Sequence, residues 1–314
     1  MISGEPWPEA DRLFRSDPNW LGSDDAYSIP LDGERTLWLF GDTFSGSLRS
    51  EANFIRNSIG VQTGEDPSSA TIRFYGSLLE TEQFWLWPLH GALIDGSLLL
   101  FFMKVRPARW PSRGPIQDWR DLGNLGFFDV YDWEAIRIDN PHEDPKAWQR
   151  VNVTERPDTA GIIPGAAVSV SDDLYVYGWK DRQGYVARWS DTPEWFSDGS
   201  WTIDASKATV VLPEVATEFT VHFDVRLGQW CQIQLNESIE MRTAESPEGP
   251  WSQPATVFTP EEANRPGVMV YAAKAHPQLT GADLILTYAS IGPNADETLL
   301  DDTVYYPRFV RVTF

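Results

Sequence analysis

The chain has one cysteine in 314 residues, four histidines, and 25 basic against 46 acidic side chains. A lone thiol, Cys231, excludes an intrachain disulfide and any cysteine-based zinc site, and its setting "GQWCQIQ" alternates like a core strand. The shortage of Lys and Arg leaves a net charge of −21, a field that repels phosphate backbones and anionic membrane surfaces, and no basic cluster interrupts it. Nucleic acid is therefore not an expected partner. Long apolar runs are missing as well: "GSLLLFFM" is strand-sized, well short of the roughly 18 to 20 residues of a membrane span. The N-terminus "MISGEPWPEADRLF" has neither a basic n-region nor an apolar h-region, which reads as a cytoplasmic chain or as a secreted one whose leader has been cut away. No GxxxxGK[ST] loop, GxGxxG turn or GxSxG elbow occurs, so nucleotide chemistry and ordinary serine hydrolysis are not leading expectations.

What the chain does have is turns and aromatic residues. With 42% hydrophobic and 13% aromatic residues it can bury a sizeable core, and 23 Pro and 23 Gly punctuate short runs rich in Val, Ile, Tyr, Phe and Trp. No amphipathic helix stands out, so the fold is expected to be all-β. Five times a short strand meets a tight polar turn and then a strongly apolar strand: "AYSIPLDGERTLWLFGD", "LHGALIDGSLLLFFM", "GAAVSVSDDLYVYGW", "EFTVHFDVRLGQWCQIQL" and "AKAHPQLTGADLILTYAS". The turns fall near Asp32, Asp95, Asp172, Arg226 and Gly281, a period of roughly 50 to 80 residues.

A second hairpin follows in "AIRIDNP...AWQ", "VARWSDTP...SWT" and "EMRTAESPEGPWS", each with an Arg on a strand, a Pro turn, and a Trp opening the next strand. Two hairpins per repeat make a four-stranded antiparallel blade, and five blades closed about an axis leave only short protected edges. The expectation is one five-bladed β-propeller over residues 1–314, its last blade completed by the final "YYPRFVRVTF" together with N-terminal residues. A two-sheet sandwich would not explain five matched units. The long insertion "ARWPSRGPIQDWRDLGN", with two Trp, reads as an ordered lip over one rim.

The stretch "WLFGDTF" raises the first chemical question, because an apolar strand stops on a carboxylate, Asp42. A two-residue loop at Asp32-Gly33 would put Asp25 opposite Phe40 and Asp42 on its diagonal; a loop spanning Asp32 to Arg35 would put Asp25 directly opposite Asp42. Either register leaves both acids on one face, and only an odd loop or a bulge separates them. Adjacent carboxylates raise one another's proton affinity, which is the pairing that glycoside hydrolysis uses. In a propeller the innermost strands begin at one mouth of the axial channel. Counting back about seven residues from each turn gives Asp25, Trp87, Gly165, Glu218 and Lys274, with His90, His222 and His276 close by. No H-x-x-x-H pair occurs, which argues against a catalytic zinc site.

"SDDAYSIPLDGERTLWLFGDTF" followed by "RNSIGV" resembles a bacterial family long described as a domain of unknown function and associated with endo-D-arabinanase activity. It looks like a branch of the five-bladed glycosidase propellers that include L-arabinanases and fructosidases. "WPLHGALIDGSLLLFF", "EFTVHFDVRLGQW", "SPEGPWS" and "YAAKAHPQL" extend the likeness over nearly the whole chain. The resemblance implies a hydrolase of furanose-containing glycans with Asp25 and Asp42 on the family's acidic pair and Glu218 as the clan's partner acid. On this reading Asp25 is nucleophile or base and Asp42 or Glu218 the acid, while His90, His222, Lys274, His276, Arg56 and Asn57 hold the sugar and Trp87 and Trp110 offer stacking surfaces. The rival is a noncatalytic carbohydrate-binding propeller in which the acids only cap strands. No cofactor is required by the chemistry; an axial structural cation, carried by some relatives of the fold, is left open.

Overall fold

The computed structural model describes residues 2–107, 128–153, 156–279 and 283–314. The described residues form five antiparallel sheets. Blade I runs Trp20–Asp32, Arg35–Ser45, Ser58–Thr63 and Thr71–Tyr75 from the axis outward, with the short strand Asn53–Ile55 added beside the second. Blade II runs Trp85–Ile94, Ser97–Pro107, Phe128–Ile138 and Arg150–Asn152. Blade III runs Ile163–Val170, Leu174–Lys180, Gln183–Arg188, Glu194–Ser197 and Ser200–Thr202, and Leu212–Pro213 pairs with its third strand. Blade IV runs Thr220–Asp224, Gln229–Leu235, Ile239–Ala244 and Ala255–Phe258. Blade V takes Met269–Ala275, Leu284–Ile291 and Arg308–Thr313, and the N-terminal strand Ser3–Pro6 supplies its outer edge.

Each innermost strand packs beside the innermost strand of the next blade, and that of blade V returns to blade I. The ring is thus closed into a five-bladed propeller, as the turn repeat predicts. Its core lies between blades. Tyr27, Leu39, Leu100, Phe102 and Trp148 fill the gap from blade I to II, and Leu89, Phe101, Trp133 and Val176 that from II to III. Tyr177, Phe219 and Trp230 join III to IV; Cys231, Ile233, Leu286 and Val310 join IV to V; Phe14, Trp38, Phe40 and Phe309 close V onto I. The β-branched and aromatic residues of the alternating strands therefore do one job, sealing sheet against sheet. Trp148, Trp201 and Trp251 all belong to these seals, although Trp148 and Trp251 precede their strands rather than open them.

The inner strands carry a second repeat that strand alternation does not display. Register slips occur at Ser23 to Tyr27 in blade I, Pro88 to Gly91 in blade II, Pro164 to Ala167 in blade III and Tyr271 to Lys274 in blade V. Such bulges re-aim side chains at barrel and propeller rims. In blade I the turn is Gly33-Glu34, with Asp32 paired to Arg35, so the expected loop at Asp32-Gly33 is corrected by one residue. Asp25 nevertheless pairs with Phe40, because intervening slips restore that register.

Candidate active site

The starts of four inner strands, in blades I, II, IV and V, converge on one cavity of about 270 Å³. Its acids are Asp24, Asp25, Asp42 and Glu218, its cation is Arg56, and its walls include Trp85, Trp87, Phe128, Tyr271 and Tyr305. Consecutive strand residues normally face opposite ways, yet Asp24 and Asp25 both reach this cavity. The double slip makes this feasible, with Asp25 and Ala26 in the left-handed region at φ 70° and 82°. Two glycines make room. A Cβ on Gly41 would lie 2.3 Å from Asp24 Oδ1, and one on Gly22, itself at φ 136°, would lie 2.5 Å from the Tyr305 carbonyl. The "GD" of "WLFGDTF" is thus a space for one acid followed by a second.

Asp42 accepts from Arg56 Nη1 at 3.0 Å and from Trp87 Nε1 at 2.8 Å. The guanidinium is itself clamped, 3.7 Å above the Trp85 ring and 4.6 Å from that of Phe54. Burial pushes the Asp42 carboxyl up to about 6, against the opposing pull of Arg56 and the indole N–H. Asp24 accepts from Tyr271 Oη at 2.8 Å and Tyr305 Oη at 3.3 Å. Its carboxyl is held well above the usual carboxylate range, first by burial, then by the charges of Asp42 and Asp25. Asp25 lies 2.8 Å from Lys274 Nζ, an ion pair whose angle falls short of an aligned hydrogen bond. Burial still raises its carboxyl to about 7, with Lys274 opposing and Glu218 adding to the rise. Glu218 Oε2 accepts from Thr217 Oγ1 at 2.6 Å, and among the described residues no cation lies within ion-pair distance of it.

The sequence-predicted residues divide accordingly. Asp25, Asp42, Glu218, Arg56 and Trp87 meet at the cavity, but Asp24 rather than Asp25 has Asp42 as its foremost charged neighbour. Lys274 is fully buried beneath Asp25, 4.3 Å from the Tyr27 ring centroid. His90, His222 and His276, expected to hold sugar, do not line the cavity; they lie further along the same strands. His90 accepts from the Val168 N–H at Nδ1 (3.0 Å) and stacks on Tyr27, while His276 joins Ser28 and Thr287. Asn57 is also a structural residue: its amide donates to the carbonyls of Leu79 and Leu86 and accepts from Leu78 N, Leu79 N and Ser77 Oγ, bracing the link from blade I to blade II. Trp110 lies outside the described residues, as does the rest of the insertion read as a lip. Missed were Asp24, hidden by alternation, and Trp85, Phe128, Tyr271 and Tyr305, whose positions depend on bulges and loop entries. The doubled acid in "SDDAY" was the available sign for Asp24.

The chain belongs to the family described as domain of unknown function DUF5005, whose model matches residues 9–313. No curated protein matches it. Among solved structures it is similar to a candidate hydrolase from Bacteroides ovatus ATCC 8483 at 18% identity, covering 99% of this chain and 90% of that one, with a TM-score of 0.76. It is similar also to the α-L-arabinofuranosidase of Podospora anserina in complex with cellotriose, at 10% identity over 94% and 92% of the two chains, TM-score 0.53. A GH43_1 enzyme from Xanthomonas citri complexed with xylotriose matches at 15% identity over 98% and 93%, TM-score 0.52. These likenesses concern the propeller fold.

Proposed function

We propose that this chain is a glycoside hydrolase acting on furanose-containing, arabinan-like glycans. The observation that carries the reading is the Asp24–Asp42 pair, two carboxyls that line one aromatic-walled cavity and are held by different partners, Asp24 by Tyr271 and Tyr305 and Asp42 by Arg56 and Trp87. Asp24, whose carboxyl is held well above the usual carboxylate range by burial and by the charges of Asp42 and Asp25, is the group placed to donate a proton to a leaving oxygen. Asp42, fixed by Arg56 and Trp87, is the carboxylate that attacks the anomeric carbon or activates water. This revises the assignment of the first step to Asp25, whose charge is occupied by Lys274. Glu218, with no cation within ion-pair distance among the described residues, adds negative potential where an oxocarbenium-like charge develops. Trp87, Phe128 and the tyrosines offer faces for the C–H surface of a sugar ring. That neighbours in the same fold are arabinofuranosidases or hold oligosaccharides supports the class, and the sequence resemblance supports the furanose.

The test is product release, followed by chromatography, from D-arabinan, L-arabinan, fructan and arabinofuranoside oligomers, with Asp42→Asn run in parallel. Release by the wild type and none by the variant is expected. Silence from a folded wild type on every glycan would refute the hydrolase reading in favour of a binding propeller.

A further inference from the structure

Below the cavity the axial channel changes character. Lys274 and Tyr27 lie beneath Asp25, both fully buried: the ammonium is against the Asp25 carboxylate, and the Tyr27 hydroxyl crosses to the Ala166 carbonyl of blade III at 2.7 Å. A cation bound on the axis would need hard oxygen ligands. Asp25 Oδ1 is already occupied by Lys274 Nζ at 2.8 Å. His276 uses Nδ1 on Ser28 Oγ at 2.5 Å and Nε2 on Thr287 Oγ1 at 2.8 Å, and His90 is held by Val168 N and the Ser28 carbonyl. Asp224 is paired with Arg226. Among the described residues no group of three or more His, Cys, Asp or Glu could hold a metal ion. The donor set does not fit a metal, because an ammonium stands where its ligands would converge.

We propose that Lys274 is the fixed cation of this channel: it positions the Asp25 carboxylate at the cavity floor and takes the electrostatic place of a bound metal, so that the protein neither binds nor needs a divalent cation there. Its amine can stay buried because a carboxylate and an aromatic face meet it from one side. The charged and titratable groups facing Asp25 are Lys274 from blade V, Glu218 from blade IV and Asp24 and Tyr27 from its own strand, with the three imidazoles beneath. Among the described residues Lys274 is thereby the one cation acting on Asp25.

The sign of the pH dependence follows. Asp25 titrates near 7 in the folded chain, above the roughly 3.9 of an unfolded Asp, so its contribution to stability is complete at acid pH and is lost as pH rises through that window. Removing Lys274 lifts the carboxyl further and deepens the loss at high pH. Calorimetry on the whole chain tests this. The wild-type Tm should agree within about 1 °C between millimolar calcium and EDTA. Lys274→Met should lower Tm by roughly 6–20 °C at about pH 8, with a deficit that shrinks towards about pH 5. Asp25→Asn combined with Lys274→Met removes both charges and should recover much of the loss, which keeps the test decisive if the single variant does not fold. A calcium-raised Tm in the wild type would overturn the proposal. A deficit equal at every pH, or a double variant as weak as the single, would reduce Lys274 to packing. The positioning of Asp25 for turnover rests on the hydrolase reading, whereas these readouts do not: silence on every glycan with a pH-graded deficit would remove the enzyme and leave the fixed cation standing.

Discussion

The two halves of the axial channel use the same kinds of residue to opposite ends. At the mouth, Asp24, Asp42 and Glu218 face an open cavity with fewer cations than acids. In the shaft, His276, His90 and Ser28 spend their polar atoms on one another and on the backbone. Residue type therefore does not mark a site here; chemistry left uncompensated does. His90 and His276 hold blades together through their partners, whereas the carboxyls of the mouth face open space.

The comparison breaks most sharply at Asp24. Asp24→Asn keeps the two tyrosine contacts in shape and removes the titratable proton, so turnover should fall by roughly 10²–10⁴-fold while Tm holds or rises. Gly41→Ala should reproduce much of that loss, since its Cβ occupies the place of Asp24 Oδ1. Rates for both on the best glycan of the panel, beside their melting curves, decide it; normal turnover in Asp24→Asn would return the proton to Glu218.

The shaft should respond the other way. His276→Ala strands Thr287 Oγ1, leaves Ser28 Oγ with Gln278 Nε2 as its remaining partner and empties a space beside Trp38, at a cost of about 2–4 kcal/mol of stability. Turnover per folded molecule should stay within about twofold. Denaturant melts and active-site-normalised rates measure the two effects, and a rate collapse at unchanged stability would move His276 into the site.

How much of this was legible follows from what alternation encodes. The five hairpins, the closing of blade V by both termini and the seals built on Trp148, Trp201 and Trp251 all derive from periods of two and from turn residues. Trp87 and Glu218 were found because they sit at or just before strand starts, where counting is short; Asp42 was found as the one acid closing the apolar run "WLFGD", although its strand continues to Ser45, and Arg56 only through the family resemblance. Asp24 was lost to a bulge, a local insertion that reverses every facing after it and has no strong residue signature. His90 and His276 were misplaced for a related reason: position along a strand separates mouth from shaft, and only hydrogen-bond partners from other blades reveal that these two imidazoles are already satisfied, whereas His222 is set apart from the cavity by its depth alone, with Asp224 Oδ2 3.6 Å from its Nε2.

Trp87 offers the finest cut, because one atom of it belongs to each side of the comparison. Its ring walls the cavity, and its N–H satisfies Asp42. Trp87→Phe keeps an aromatic face and deletes the donor. A hydrogen bond to the charged form favours that form, so its loss raises the Asp42 carboxyl above its present value of about 6. If Asp42 acts as the carboxylate, the acid limb of kcat/KM moves to higher pH, and the rate near neutrality falls by roughly 3- to 10-fold, with Arg56 retaining the rest of the stabilisation. If Asp42 were instead the proton donor, the alkaline limb would move and the neutral rate would hold or rise. The direction of one limb in a pH profile thus assigns acid and base within the pair, because the deleted N–H touches only one of the two carboxyls.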